Sequence, residues 1–176
     1  MYKLAGVLLS EEEINAKVLE LAKRIEEDYK DQDILLVGIL KGASVFVADL
    51  MRKINLDVNI DFMSVSSYGS GTVSSGTVKI LKDLDVDIEG KNVLIVEDII
   101  DSGATLSNLY DTLMTRNPKS LRLCTLLDKP SRRKVHIKVD YVGFEIEDRF
   151  IVGYGIDYAE KYRNLPYIAI VEESEK

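Results

Sequence analysis

Cysteine and histidine are nearly absent from this chain, which excludes several kinds of site. Its 176 residues include one cysteine, Cys124, and one histidine, His136. A lone cysteine cannot form an intrachain disulfide, and this fits a reducing compartment. A zinc site built from cysteines and histidines is excluded by count. Cys124 lies in an apolar run and is interpreted as a buried side chain, and nothing around His136 indicates a nucleophile–histidine mechanism.

Long apolar runs and an excess of basic residues are also lacking. No apolar run approaches the length of a membrane span, and the first nine residues are too short for a secretion signal. Lys and Arg number 23 against 30 Asp and Glu, a net charge of −7. A general nucleic-acid binder needs a basic face. We therefore expect a soluble, cytoplasmic protein that binds neither membranes nor nucleic acid, although local groups could still hold a small anion.

The apolar residues that are present predict an α/β fold. They make up 46% of the chain, and 176 residues suit one domain, which we expect to span residues 1–176. Ser10 to Glu13 form a capping box, and apolar spacing continues the helix to about Tyr29. Ile34 to Leu40 reads as a strand buried on both faces of a parallel sheet. Further helices are predicted at 43–53 and 104–116, and further strands at 58–66, 77–81, 92–96, 120–127, 141–146, 150–152 and 167–171. This alternation predicts a doubly wound, mostly parallel sheet.

A polar stretch rich in glycine and serine lies between the strands at 58–66 and 77–81. It runs from Ser67 to Gly76 and has no apolar periodicity. Such a stretch is either a flexible surface connector or a lid over an active site. Composition favours neither interpretation.

The strongest chemical signal is the segment from Val93 to Leu106. Four apolar residues run directly into Glu97 and Asp98, Asp101 follows, and Ser-Gly-Ala-Thr then opens a helix. Ligands of open α/β sheets bind beyond the carboxyl ends of the strands. A glycine turn at a helix start offers free N–H groups to a phosphate, and the carboxylates suit sugar hydroxyls or Mg²⁺ held through water. Each piece alone could be a plain turn or strand end, but together they predict a sugar-phosphate site.

Those residues closely resemble the phosphoribosyl-diphosphate motif of hypoxanthine-guanine phosphoribosyltransferases. Five other segments resemble this family in the same order along the chain. They are the diphosphate loop Leu40-Lys41-Gly42, the lid start Ser67-Tyr68-Gly69, the purine-lysine segment Leu127 to Pro130, the base-stacking segment Phe150 to Tyr158, and Tyr162 to Pro166. The resemblance covers residues 34 to 170. It departs from many relatives at Ser102, where they have Thr, and at Ala104, where they have a basic residue.

The resemblance implies a role for each matched residue. Asp101 would be the general acid or base at purine N7. The substrate-binding set would be Lys41, Gly42, Ser67, Tyr68, Glu97, Asp98, Ser102, Gly103, Ala104, Thr105, Lys129, Phe150, Ile151 and Arg163. Within it, Lys129 would meet the 6-oxo group, Phe150 would stack on the base, and residues 102–105 would hold the 5′-phosphate. Mg²⁺ would be held by Glu97, Asp98 and Asp157. The Leu40-Lys41 peptide bond is a candidate for the cis form.

The resemblance also implies a fold, a reaction and an assembly. The fold would be the type I phosphoribosyltransferase fold, with a small β-rich hood from the terminal segments. The reaction would transfer the phosphoribosyl group of 5-phosphoribosyl 1-diphosphate to hypoxanthine or guanine. The small-molecule partners would be that diphosphate and a 6-oxopurine, and the protein would form a homodimer or homotetramer.

Three alternatives remain at the level of sequence. A regulatory protein of the same fold would bind RNA or DNA, but the acidic balance counts against it. A phosphoribosyltransferase for another base is disfavoured by Lys129, since a cationic donor suits a carbonyl oxygen and not an amino group. A response-regulator receiver domain groups carboxylates early in the chain, whereas Glu97 and Asp98 lie in mid-chain. The order of preference among hypoxanthine, guanine and xanthine depends on pocket contacts that one sequence does not give.

Overall fold

Two sheets of unequal size organise the part of the chain that the computed structural model describes, residues 2–67 and 78–173. The strands are β1 (Tyr2–Leu9), β2 (Ile34–Ile39), β3 (Val58–Ser67), β4 (Val78–Lys82), β5 (Asn92–Ile100), β6 (Ser120–Asp128), β7 (Tyr141–Glu145), β8 (Ile151–Val152) and β9 (Ile168–Glu173). The helices are α1 (Glu11–Asp28), α2 (Ser44–Lys53) and α3 (Ala104–Met114), with a single 3₁₀ turn at Pro130–Arg132.

The larger sheet has six strands in the order β4-β3-β2-β5-β6-β7. Five of them are parallel, and β4 returns antiparallel beside β3. Alternate residues of the central strands face two separate cores, since successive side chains of a strand point to opposite faces. Leu36 and Leu94 pack with α1 and α2, whereas Val37 and Ile95 pack with α3. The prediction of a doubly wound, mostly parallel sheet is therefore confirmed.

The smaller sheet is antiparallel, in the order β1-β9-β8, and it joins the two ends of the chain. This confirms the β-rich hood expected from the terminal segments. Strand β1 itself was not predicted, because all its residues but Leu9 are exposed or half-buried and show no apolar alternation. Among residues 2–67 and 78–173, no helix is both long and apolar enough to cross a membrane.

Several predicted boundaries differ from the structure by one or two residues, and the end of β5 differs most. Strand β5 was expected to end at Val96, but it continues to Ile100 and carries Glu97 and Asp98 inside it. The reason is its neighbour β6, which keeps pairing in register as far as Asp128. Helix α3 ends at Met114, two residues before the expected end.

The capping box at the start of α1 is confirmed. The Glu13 N–H donates to Ser10 Oγ at 3.1 Å, and the Ser10 N–H donates to Glu13 Oε1 at 3.4 Å. Helix α1 then buries Ile14, Val18 and Leu21 against the sheet. This fixes α1 beside α2 on one face and leaves the carboxyl ends of the strands open.

The core around Leu36 should dominate the stability of the larger sheet. Leu36 is fully buried in β2, whereas Leu81 on the edge strand β4 is 60% exposed. Leu36→Ala should lower the free energy of unfolding by ~2–5 kcal/mol, because it removes buried methylenes and leaves a cavity. Leu81→Ala should change it by about 0.5 kcal/mol or less. Urea unfolding of both variants checks this, and equal losses would contradict the packing described.

Candidate active site

A crevice lies at the carboxyl edge of the larger sheet, where loops after β2, β5 and β6 meet the segment that follows β8. Glu97 and Asp98 form its floor near the end of β5. Burial raises the pKa of Glu97 well above its usual range, and the charge of Asp98 raises it further. Burial also raises the pKa of Asp98, although its Oδ1 accepts a 2.7 Å hydrogen bond from the Ile99 N–H. Two such carboxylates are costly together unless a ligand compensates them.

These two carboxylates serve different sides of the crevice. Glu97 lines a cavity of about 180 Å³ that is closed by residues 99–103 and the first turn of α3. Asp98 instead lies against Gly42 in the loop after β2. A Cβ atom on Gly42 would lie 1.9 Å from Asp98 Oδ2, so any larger residue there would displace the Asp98 carboxylate or the loop. One strand end therefore faces both the helix start and the loop at 40–42.

The turn between β5 and α3 is shaped to receive an anion. Gly103 has φ +79°, a left-handed conformation that favours glycine, and it caps α3 without a side-chain hydrogen bond. The Ala104 N–H is satisfied by Ser102 Oγ at 3.3 Å. The next N–H groups of the first turn, at Thr105 and Leu106, have no intrahelical partner and carry the positive end of the helix dipole. The turn that the sequence predicts to bind a phosphate therefore has unpartnered N–H groups at its helix start, and phosphate binding there stays a prediction.

The loop at 40–42 faces this turn across the crevice. The Leu40-Lys41 peptide bond is cis, as the family resemblance suggested. The Leu40 N–H donates to the Met63 carbonyl of β3 at 2.8 Å. On its other side, a Cβ atom on Gly155 would lie 2.2 Å from the Gly42 carbonyl oxygen. The segment after β8 and the loop after β2 are therefore in direct backbone contact.

Asp101 and Lys129 come together at the ends of neighbouring strands. Lys129 is buried, and its Nζ donates to the Arg149 carbonyl at 2.7 Å. The same Nζ lies 3.8 Å from Asp101 Oδ1 and 3.5 Å from Asp148 Oδ1. Asp101 is 52% exposed and so remains open to a ligand. The general acid or base implied by the resemblance thus lies beside the purine-recognising lysine that it implies.

Sequence reasoning missed Arg133, which connects the two loops that carry these residues. Its guanidinium pairs with Asp128 Oδ1 at 2.5 Å and donates to the Asp101 carbonyl at 3.1 Å. The Lys134 N–H adds a 2.9 Å hydrogen bond to the Ser102 carbonyl. The only sequence signal was the basic run at 132–134, which is equally typical of a solvated loop.

Phe150 presents an exposed ring at the rim of the crevice. The ring is 43% exposed and makes edge-to-face contacts with Tyr2 and Tyr158, at centroid distances of 5.9 and 5.2 Å. Ile151, the next residue, is buried and pairs with Ile170 of β9. An exposed aromatic face beside a buried, paired backbone suits a flat heterocycle. The contact with Tyr2 was not anticipated, because β1 was not predicted.

Asp157 and Arg163 lie on the segment that follows β8. Arg163 donates to the Gly155 carbonyl at 2.8 Å and pairs with Asp157 Oδ1 at 3.1 Å. Its Nε is buried and finds no hydrogen-bond partner within the described ranges. Four non-glycine residues of this segment have left-handed backbone conformations, namely Tyr154, Ala159, Glu160 and Tyr162. Residues held this way are uncommon and concentrate where loops are functional.

Two predicted site residues, Ser67 and Tyr68, lie at the edge of the described residues or outside them. Ser67 is the last residue of β3, so the strand extends one residue beyond the predicted end. Tyr68, and with it the loop at 68–76, lies outside the described residues. The choice between a lid and a connector therefore stays a prediction.

Comparison with known proteins agrees with this geometry. Residues 7–159 match the family described as the phosphoribosyl transferase domain. The chain is 57% identical over 171 residues to the hypoxanthine-guanine phosphoribosyltransferase of Bacillus subtilis, covering 97% of this chain and 95% of the relative. It is 58% identical over 167 residues to the hypoxanthine phosphoribosyltransferase of Escherichia coli, covering 94% of each.

A solved structure gives the same result in three dimensions. The crystal structure of a hypoxanthine-guanine phosphoribosyltransferase from Bacillus anthracis superposes with a TM-score of 0.93 at 58% identity, covering 96% of this chain and 99% of that one. That structure holds a HEPES molecule in its active site. The sheet order, the phosphate turn and the family match over residues 7–159 lead to one conclusion: this chain belongs to the phosphoribosyltransferase family.

Proposed function

We propose that this protein transfers the 5-phosphoribosyl group of 5-phosphoribosyl 1-diphosphate to hypoxanthine or guanine, which yields IMP or GMP and pyrophosphate. Relatives named for this activity share more than half of the sequence over nearly the full length. The observation that carries the proposal is the meeting of three features in one crevice. The acidic end of β5 and the open first turn of α3 line one cavity, and the buried Lys129 lies 3.8 Å from Asp101 in the wall of that cavity.

The phosphoribosyl moiety would bind along β5 and α3. Glu97 and Asp98 would accept hydrogen bonds from the ribose hydroxyls, and such bonds stabilise carboxylates that burial otherwise disfavours. Ser102, Gly103, Ala104 and Thr105 would hold the 5′-phosphate through N–H groups and hydroxyls. Ala104 contributes only its backbone.

The diphosphate would bind between the loop at 40–42 and the segment after β8. The backbone of Lys41 and Gly42 would meet its oxygens, and Arg163, with its unpartnered buried Nε, would pair with them. Charge neutralisation here favours the departure of pyrophosphate, since negative charge grows on it as the bond to the sugar breaks.

The residues of this crevice fit Mg²⁺ bound together with the substrate. Within the described ranges, no group of three or more His, Cys, Asp or Glu side chains could hold a metal by itself. Mg²⁺ usually takes one or two carboxylates together with phosphate oxygens and waters. Glu97, Asp98 and Asp157 supply such oxygens, and a nearby cation would favour the ionised form of the first two, whose pKa values burial raises. When bound, the ion would neutralise charge on the diphosphate.

The base would lie between the rim ring and the two loops after β5 and β6. Phe150 would stack on the purine, the Ile151 backbone would meet its Watson–Crick edge, and Lys129 would donate to the 6-oxo group. Lys129 has three N–H donors and uses one on the Arg149 carbonyl, which leaves donors for the base. Asp101 would take the N7 proton as N9 attacks an oxocarbenium-like anomeric carbon.

Removal of the proposed acid or base should slow turnover. Asp101→Asn keeps the shape of the side chain and should lower kcat by ~10²–10⁴, the usual contribution of general acid–base catalysis. The change is measured spectrophotometrically with hypoxanthine and the sugar diphosphate. Asp111→Asn, on the exposed side of α3, is the matched control and should leave kcat within about twofold. Unchanged turnover in Asp101→Asn would remove this residue from the role.

Base selectivity tests the role of Lys129. Lys129→Met keeps an unbranched side chain but loses the cationic donor. We expect kcat/KM for hypoxanthine to fall by ~10² or more, because an unpaired 6-oxo group is left in the site, while the value for adenine falls no further. Kinetics with both bases measure this. Equal losses for the two bases would contradict recognition of the 6-oxo group.

The close approach of Gly42 to Asp98 generates another expectation. Gly42→Ala would place a methyl group 1.9 Å from Asp98 Oδ2, so the loop at 40–42 or the Asp98 carboxylate must shift. A shift of about 1 Å in a positioning loop costs up to ~10² in rate, and we expect that loss in kcat/KM for the sugar diphosphate. Asp111→Asn, the exposed control on α3, should leave kcat/KM for the sugar diphosphate within about twofold. Normal kinetics in Gly42→Ala would show that this contact is not needed.

A further inference from the structure

Glu160 makes contacts with two cations that come from separate parts of the chain. Its Oε2 lies 2.9 Å from Lys41 Nζ, in the loop after β2. Its Oε1 lies 3.3 Å from an Nη atom of Arg163, in the segment after β8. Each carboxylate oxygen therefore meets a different cation, as two oxygens of a bridging phosphate group would.

These contacts are built into the fold of the segment and do not depend on a chance orientation of Glu160. The Glu160 backbone is left-handed, with φ +63°, and its N–H donates to Asp157 Oδ2 at 2.8 Å. Arg163 is fixed at the same time by Asp157 Oδ1 and by the Gly155 carbonyl. Because these backbone contacts set where the Glu160 side chain begins, its carboxylate stays within reach of both cations.

The contacts of Glu160 can also be broken at low cost. Its side chain is 65% exposed and that of Lys41 is 68% exposed. An exposed ion pair contributes little net free energy, since water and salt screen it. The hydrogen bond from Lys41 lowers the pKa of Glu160, so the carboxylate is ionised at neutral pH. A ligand with more charge than one carboxylate would displace it from the two cations.

We propose that Glu160 is an internal competitor of the diphosphate: it engages Lys41 and Arg163 in the unliganded enzyme and must release both when diphosphate binds. The inference rests on the proposed function, which places the diphosphate against the Lys41 backbone and the Arg163 guanidinium, and it adds the Lys41 Nζ to the groups that the diphosphate would engage. Glu160 is a positioning residue, because it acts through the two cations and not on the reacting atoms. It weakens diphosphate binding, and it recaptures the cations as pyrophosphate leaves.

The test compares the unmodified protein with Glu160→Gln, which keeps the shape of the side chain and removes its charge. Calorimetric titration with pyrophosphate, in the presence of Mg²⁺, should give a Kd ~5-fold lower for the variant, the scale of one exposed charge pair. Titration with IMP, which carries no diphosphate, should agree within about twofold. In steady-state kinetics, KM for the sugar diphosphate should fall and KM for hypoxanthine should not.

Glu20→Gln is the matched control. Glu20 forms an exposed ion pair of 3.1 Å with Lys17 on α1, so the variant loses the same charge in a similar local setting. It should leave both dissociation constants unchanged. An unchanged or weakened affinity for pyrophosphate in Glu160→Gln would overturn the competitor role, provided the unmodified protein binds pyrophosphate. Failure of the unmodified protein to bind pyrophosphate or IMP would instead overturn the proposed function.

Discussion

The structure is organised around two adjacent, half-buried carboxylates near the end of a central strand. Glu97 and Asp98 would ionise freely in water, but in β5 burial raises the pKa of both. A hydrophobic sheet between two helical layers does not tolerate such a pair without compensation. The Ile99 N–H and the nearby Arg163 side-chain charge supply part of it for Asp98. A ligand with hydroxyls and an associated cation would supply the rest.

The same principle extends to the cations of the crevice, each of which already has an acidic partner. Lys129 lies beside Asp101 and Asp148, Arg133 pairs with Asp128, and Arg163 pairs with Asp157. Binding of an anionic substrate is therefore an exchange of partners, in which no cation begins as an isolated buried charge. An exchange costs less than desolvation of a free charge, and it favours turnover over very tight binding.

The larger sheet was predictable from sequence because its signals are local. Runs such as Ile34 to Ile39 are apolar throughout, and the motif from Glu97 to Thr105 is contiguous, so one stretch of chain carries its own chemistry. The extension of β5 to Ile100 was not predictable, since pairing with β6 overrides the charge of Glu97 and Asp98. Strand β1 was not predicted because it is exposed and is held by pairing with β9, more than 150 residues away.

Some residues of the candidate site were predictable from sequence and others were not. Contacts across the fold gave no sequence signal, as the pair of Lys41 and Glu160 shows, because its partners lie 119 residues apart. Arg133 was not predicted either, because its partners Asp101 and Asp128 become neighbours only when β5 and β6 pair. Lys129, Phe150 and Arg163 were found through the family resemblance. Their residue types alone would have indicated a loop charge, a core ring and a surface ion pair.

The hood connects the two ends of the chain to the segment after β8, which carries several residues of the candidate site. Strand β8 has two residues and is held by β9, which is held in turn by β1. On the proposed assignment, Phe150 binds the base and Arg163 binds the diphosphate, and the segment after β8 joins them through Gly155 and Asp157. The ribose and its phosphate are instead held by β5 and α3 of the larger sheet. The bond that breaks, to the diphosphate, and the bond that forms, to the base, would both lie between the hood segment and the larger sheet. The position of the hood relative to the sheet would therefore set how far the anomeric carbon must move between them.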